Sequence, residues 1–81
     1  MPGLPVVSGK ALVKFLGGPG YRIVRRRGSH VQLICSTPAG SHTVTIPLHK
    51  EIAKGTLNDI LSKVSLWKGI PKEELVRLLK K

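Results

Sequence analysis

Before Glu51 the chain contains no carboxylate side chain. Its four acids, Glu51, Asp59, Glu73 and Glu74, stand against 14 lysines and arginines, for a formal net charge of +10. The acid-free half carries Lys10, Lys14, Arg22, Arg25, Arg26, Arg27 and Lys50. A field of one sign favours a polyanion, most simply nucleic acid. The same shortage disfavours a two-metal nuclease site, which needs clustered carboxylates. A single cysteine, Cys35, rules out an internal disulfide and fits a reducing, cytoplasmic setting. No apolar run approaches the ~20 residues of a membrane span. No long amphipathic basic helix accompanies the charge either, so no membrane partner is expected. Met1 to Val7 lacks the charged start and long apolar core of a signal peptide and reads as an extended lead-in. With 81 residues, 41% of them hydrophobic, the chain is expected to fold as one small domain over 1–81.

Periodicity then places the elements. Ser8 suits the N-cap of a helix running to about Gly17, with Leu12, Phe15 and Leu16 on one face and Lys10 and Lys14 on the other. Gly17-Gly18-Pro19-Gly20 ends it. Tyr21 to Arg27, His30 to Ser36 and His42 to Ile46 read as strands joined by turns at Gly28-Ser29 and Thr37 to Ser41. Val31, Leu33, Cys35, Val44 and Ile46 point to the core, and His30, Gln32 and Ile34 to the open face. Thr43 and Thr45 point outward, and Pro47 stops the ladder. Thr56 is expected to cap a second helix, with Asp59 in the capping-box position and Leu57, Ile60, Leu61 and Val64 buried. Ser65 to Ile70 reads as a connection, and Pro71 opens a short last helix with Glu73 and Glu74 in its first turn and Lys80 and Lys81 at its end. The order α-β-β-β-α with a short extra C-terminal helix predicts an α+β fold. It is a three-stranded antiparallel sheet with helices on one face, as in double-stranded-RNA-binding domains.

The densest chemistry lies in Arg25-Arg26-Arg27-Gly28-Ser29-His30. Arginine forks grip phosphate oxygens, glycine lets the backbone turn, and histidine exchanges protons near neutral pH. The plainer reading is a solvated arginine run, a tight turn and an exposed histidine. Alternation puts Arg25 and Arg27 on one face and Arg26 on the other, so the three do not converge on one phosphate.

Around that stretch, Val7-Ser8-Gly9-Lys10, Gly20-Tyr21, Gly28-Ser29-His30, Thr45-Ile46-Pro47-Leu48-His49 and Gly55-Thr56-Leu57 follow in order. Together they resemble the HicA toxin family, small RNA-cleaving toxins of bacterial and archaeal toxin–antitoxin pairs, over roughly Ser8 to Leu79. The resemblance implies a double-stranded-RNA-binding-like fold, endoribonuclease (mRNA interferase) activity on mRNA or other RNA, and silencing by a HicB-like antitoxin. It places the family's catalytic histidine at His30. The sequence departs from relatives at Gly17-Gly18-Pro19, where charged residues are usual, and at Ser65 to Ile70, which is longer than the usual turn.

RNA can be cut without a metal or other cofactor. The neighbouring 2′-OH attacks the phosphate, given proton carriers and a cationic group for the developing charge. His30 is the proton-transfer candidate, and Arg25, Arg26, Arg27 and Lys54 are candidates for charge stabilisation. Lys10, Ser29, Lys50 and Lys54 add phosphate contacts, the last two beside a helix N-terminus. For Lys50 and Lys54 the alternative is ordinary exposed lysine. His49 falls level with about Ser29 if Ser36 pairs near His42. It then orients His30, acts as a second proton carrier, or is simply exposed. His42, at the far end of the hairpin, is expected on the surface. A zinc site from His30, Cys35, His42 and His49 has poor spacing. His30 and Cys35 stand roughly 16 Å apart along a strand, on opposite faces, so no metal is expected. Cys35 reads as a small buried hydrophobe. Trp67 is read as a packing anchor, with a partner contact as the alternative. A non-catalytic double-stranded-RNA-binding module and a structural ribosome-associated protein are the competing functions.

Overall fold

Ser8 starts the first helix as its side chain predicts. In the computed structural model, which describes residues 4–80, its hydroxyl accepts from the Ala11 N–H at 3.0 Å and caps α1 (Gly9–Leu16). The lead-in is therefore described only from Leu4, and Lys81 falls outside the described residues. Eight residues make too short a helix to persist alone. Leu12 and Leu16, fully buried, hold it against the sheet, and each contributes about 1.5–3 kcal/mol of burial free energy.

Three antiparallel strands follow, β1 (Arg22–Arg27), β2 (His30–Thr37) and β3 (Gly40–Pro47), in spatial order β1-β2-β3. Gly28-Ser29 and Pro38-Ala39 are two-residue turns, since Arg27 pairs with His30 and Thr37 with Gly40. Gly28 takes a positive φ, +55°, the conformation that the favoured two-residue hairpin turns place at their first position. Val31, Leu33, Cys35, Val44 and Ile46 are all buried, as their alternation predicts. Against them pack Leu57, Ile60, Leu61 and Val64 of α2 (Lys54–Lys68), and Leu75 of α3 (Lys72–Leu79) joins the same cluster. The architecture is the expected α+β sandwich of one sheet and one helical layer. Among the described residues no helix is long and apolar enough to cross a membrane.

Three sequence expectations are corrected. The first concerns the start of α2, which begins at Lys54 with Ala53 in the cap position and no side-chain cap, so Thr56 lies inside the helix. Its start is set by tertiary anchoring. Ile52 is buried, and its N–H donates to the Val7 carbonyl at 2.9 Å. Asp59 meets Lys63 one turn on, at 3.2 Å. The second concerns Ser65 to Ile70, which is mostly helix. Nothing breaks the helix before Gly69, which closes it in the left-handed conformation at φ +67°.

The third concerns His42, which is only 6% exposed. It shares the inward parity of Val44 and Ile46, and two aromatic rings cover it. Trp67 stacks on the imidazole at 5.0 Å between ring centroids, and Tyr21 meets it edge-on at 5.8 Å. The Tyr21 hydroxyl lies 2.7 Å from Nδ1, and with the ring proton on Nε2 it donates there. Trp67 is thus the packing anchor of the two readings. Burial pushes the Tyr21 hydroxyl up to about 12, with Cys35 adding to the shift. Burial, helped by the charge of Lys63, lowers the pKa of His42 below the ordinary histidine value.

The sign of the resulting pH dependence follows by linkage. A histidine held neutral in the folded state binds its proton more readily when unfolded, so its contribution is fully present above the unfolded pKa of about 6.5. It is lost as pH falls from there through the lowered folded value. The melting temperature should therefore decline between pH 6.5 and 5, before carboxylates titrate. His42→Phe, which keeps a ring against Trp67 and removes the titration, should flatten that slope whatever it does to stability at pH 8. An equal slope in both proteins would show that the buried imidazole is not its source.

Candidate active site

Why two arginines share His30's face depends on an irregularity in β1. Strict alternation from Tyr21, which is buried, would put Ile23, Arg25 and Arg27 on the helix side with it. The ladder instead slips between Ile23, paired with Leu33, and Arg25, paired with Gln32, leaving Val24 as an extra residue. This β-bulge resets the alternation. Beyond it Arg25 and Arg27 join His30 and Gln32 on the open face, while Arg26, paired with Val31, turns to the helix side. The sequence expectation that Arg25 and Arg27 share one face holds, and the bulge decides which face that is.

Arg25, Arg27, His30, Gln32 and Thr45 line one shallow cleft of about 130 Å³ on the open face. His30 heads β2 directly after the turn and is exposed. Arg27 stands opposite it on β1 and Pro47 on β3. The lining offers two guanidinium groups, an imidazole, an amide and a hydroxyl, and no carboxylate. Such a concavity attracts a phosphate and holds one group able to move a proton at it. Sequence reasoning placed Gln32 and Thr45 outward and assigned them no role. Their signal was available in the shared parity of Gln32 and His30, two residues apart on one strand.

The remaining candidates lie elsewhere. Arg26 and Lys10 border a second, more apolar groove between α1 and the β1 edge, with Val13, Ile23, Val31 and Leu48. Ser29 is exposed in the turn, and its carbonyl accepts from the Leu48 N–H at 2.6 Å. That bond fixes the register, since Ser36 pairs with Ser41 and Leu48, not His49, stands opposite Ser29. His49 follows the end of β3, exposed and not among the cleft's lining residues, with its carbonyl accepting from the Gly9 N–H at 2.9 Å. Lys50 and Lys54 are exposed before and at the start of α2, also away from the cleft lining. Cys35 is buried, with the Lys68 amine 3.3 Å from its sulfur. Among the described residues no three histidine, cysteine or acidic side chains gather as a metal site would require.

Comparison with known proteins adds one finding. A protein-family model described as the HicA toxin of bacterial toxin–antitoxin systems matches residues 9–66, a span from the start of α1 nearly to the end of α2 that includes the whole cleft. No curated protein and no solved structure matches the chain.

Proposed function

Because the chain belongs to the HicA toxin family of bacterial toxin–antitoxin systems, we propose that it is an endoribonuclease that cuts mRNA or other RNA at the His30 cleft. The observation that carries this reading is the convergence of His30, Arg25 and Arg27 on one open, carboxylate-free concavity. Arg25 and Arg27 hold the scissile phosphate and stabilise the charge that builds on it. His30 moves the proton as the 2′-OH attacks or the 5′-oxygen leaves. Ser29 supplies a further contact at the turn. Arg26, Lys10, Lys50 and Lys54 hold flanking phosphates, and His49 assists from outside the cleft as orienter or second proton carrier. The partner is a HicB-like antitoxin whose acidic surface covers the cleft. The setting is cytoplasmic, where mRNA and a lone reduced cysteine belong together.

The direct test is incubation with RNA in excess chelator. Internal cuts ending in 2′,3′-cyclic phosphate are expected, and intact RNA after full binding would sink the reading. That outcome would favour the second reading, a non-catalytic double-stranded-RNA-binding module, in whose support stand the cations placed away from His30: Lys10 on α1, Lys50 before α2 and Lys54 at its start.

Grip is separable from chemistry. Replacing Arg25 and Arg27 together by Ala should weaken RNA binding and flatten its salt dependence, by about 0.7 to 0.9 in the log–log slope for each phosphate no longer neutralised. Affinity measured over a range of salt concentrations reads this directly. An unchanged slope would leave the two arginines as solvated charge.

A further inference from the structure

We propose that Gln32 reads a nucleobase beside the scissile phosphate and so gives the cleavage its sequence preference, an inference that rests on the RNA-cleaving reading above. Gln32 occupies the centre of the cleft, opposite Arg25 on β1 and Thr45 on β3. It stands two residues from His30 on the same strand face, ~6.6 Å along the backbone, within one nucleotide's reach of the reacting phosphate. Among the described residues no hydrogen bond engages its side-chain amide.

The chemistry of the lining assigns the roles. Guanidinium groups carry donors only, and in an RNA cleft the phosphates take them first. The Thr45 hydroxyl is a single freely rotating group. The two ring nitrogens of His30 point away from each other, so the Gln32 amide alone presents a donor and an acceptor side by side, which is the pattern a base edge offers in return. Glutamine meets adenine in this bidentate way, and unpaired RNA bases expose the required edges. An uncharged amide offers a phosphate only neutral donors and no charge, and a phosphate grip would be better served by lysine or arginine at this position. Stacking on the His30 ring or on the guanidinium planes of the lining accepts any base, so discrimination there falls to hydrogen bonds.

The experiment maps cut sites on a pool of unstructured random-sequence RNA for wild type, Gln32→Ala and Gln32→Glu, each first checked for folding by thermal melting. Wild type should show a bias toward adenine, on the order of tenfold to a hundredfold, at one position next to the cut. In Gln32→Ala the cuts that remain should be level at that position. Gln32→Glu, which only accepts, should move the bias toward cytosine, whose amino group donates. The same bias should appear among RNAs retained by the slowly cleaving variant His30→Ala and vanish from those retained by His30→Ala with Gln32→Ala. An unchanged profile in Gln32→Ala overturns the proposal. So does a uniform loss of cleavage at all sequences with the retained pool unaltered, which would place Gln32 in the chemistry. If wild type binds RNA and never cuts it, the retained pools still decide for or against Gln32, and only the nuclease reading fails.

Discussion

His30→Ala should leave RNA binding within a few-fold of wild type and lower cleavage by about 10² to 10⁴, the usual worth of a positioned proton carrier. The two effects separate because of where His30 sits. It is exposed at the head of β2, so its truncation opens no cavity, and Arg25 and Arg27 keep their places on the neighbouring strand. Binding measured with the variant and single-turnover cleavage measured beside it give the split. His49→Ala should cost less, since that residue follows the end of β3 and does not line the cleft. An RNA with a 2′-deoxy sugar at the cut site should bind and stay intact, because the attacking hydroxyl has been removed from the substrate. Normal cleavage of that RNA would mean that water is the nucleophile. Full activity of His30→Ala would remove the imidazole from the mechanism altogether.

Gly9→Ala should destabilise the fold by about 3 kcal/mol, the upper end for an overpacked site, and lower the melting temperature by roughly 12 to 24 °C. Gly9 is the first residue of α1 and is buried against the end of β3. A methyl group there would overlap the Pro47 carbonyl oxygen and lie 2.8 Å from the Leu48 Cα. Both neighbours are backbone, so no side-chain rotation relieves the clash, and the Gly9 N–H bond to the His49 carbonyl would be pushed apart. Gly55→Ala is the matched control. Gly55 lies in the first turn of α2 with open space around the added methyl. There the same change should be neutral or stabilise by up to about 1 kcal/mol through helix propensity. Thermal melting of both variants checks the pair. Equal melting temperatures would show that the helix can move off β3 at no cost.

Much of the fold could be read from local pattern, because one buried face imposes a period of two on a strand and 3.6 on a helix. The core residues of β2 and β3, the Ser8 cap and the buried face of α2 all follow from that rule. The helical course of Ser65 to Lys68 was a local misreading, since nothing before Gly69 breaks the helix, whereas the other errors originate in contacts between distant residues. His42 had the inward parity, but its cover comes from Tyr21 and Trp67, both far from it along the chain. The start of α2 depends on the tie between Ile52 and Val7, which the cap signal of Thr56 cannot report. The need for glycine at position 9 arises from Pro47, on another element. At the site, His30 and the shared face of Arg25 and Arg27 were readable. Gln32 shares the parity of His30 along β2 and was legible in that respect, while the place of Thr45 beside them comes only from the strand pairing that builds the cleft.

The extra residue in β1 also bears on how copies of this protein treat one another. β1 is an outer strand, and a free strand edge offers its unpaired N–H and C=O groups as a template for any passing chain. Its stickiest segment would be Ile23-Val24, whose side chains are 52% and 46% exposed. The bulge falls at that segment and interrupts the regular row of hydrogen-bonding groups, and the three arginines beyond it repel a like-charged neighbour. The irregularity that turns Arg25 and Arg27 toward His30 therefore also blunts the free edge of β1 as a template on which a second copy could extend the sheet.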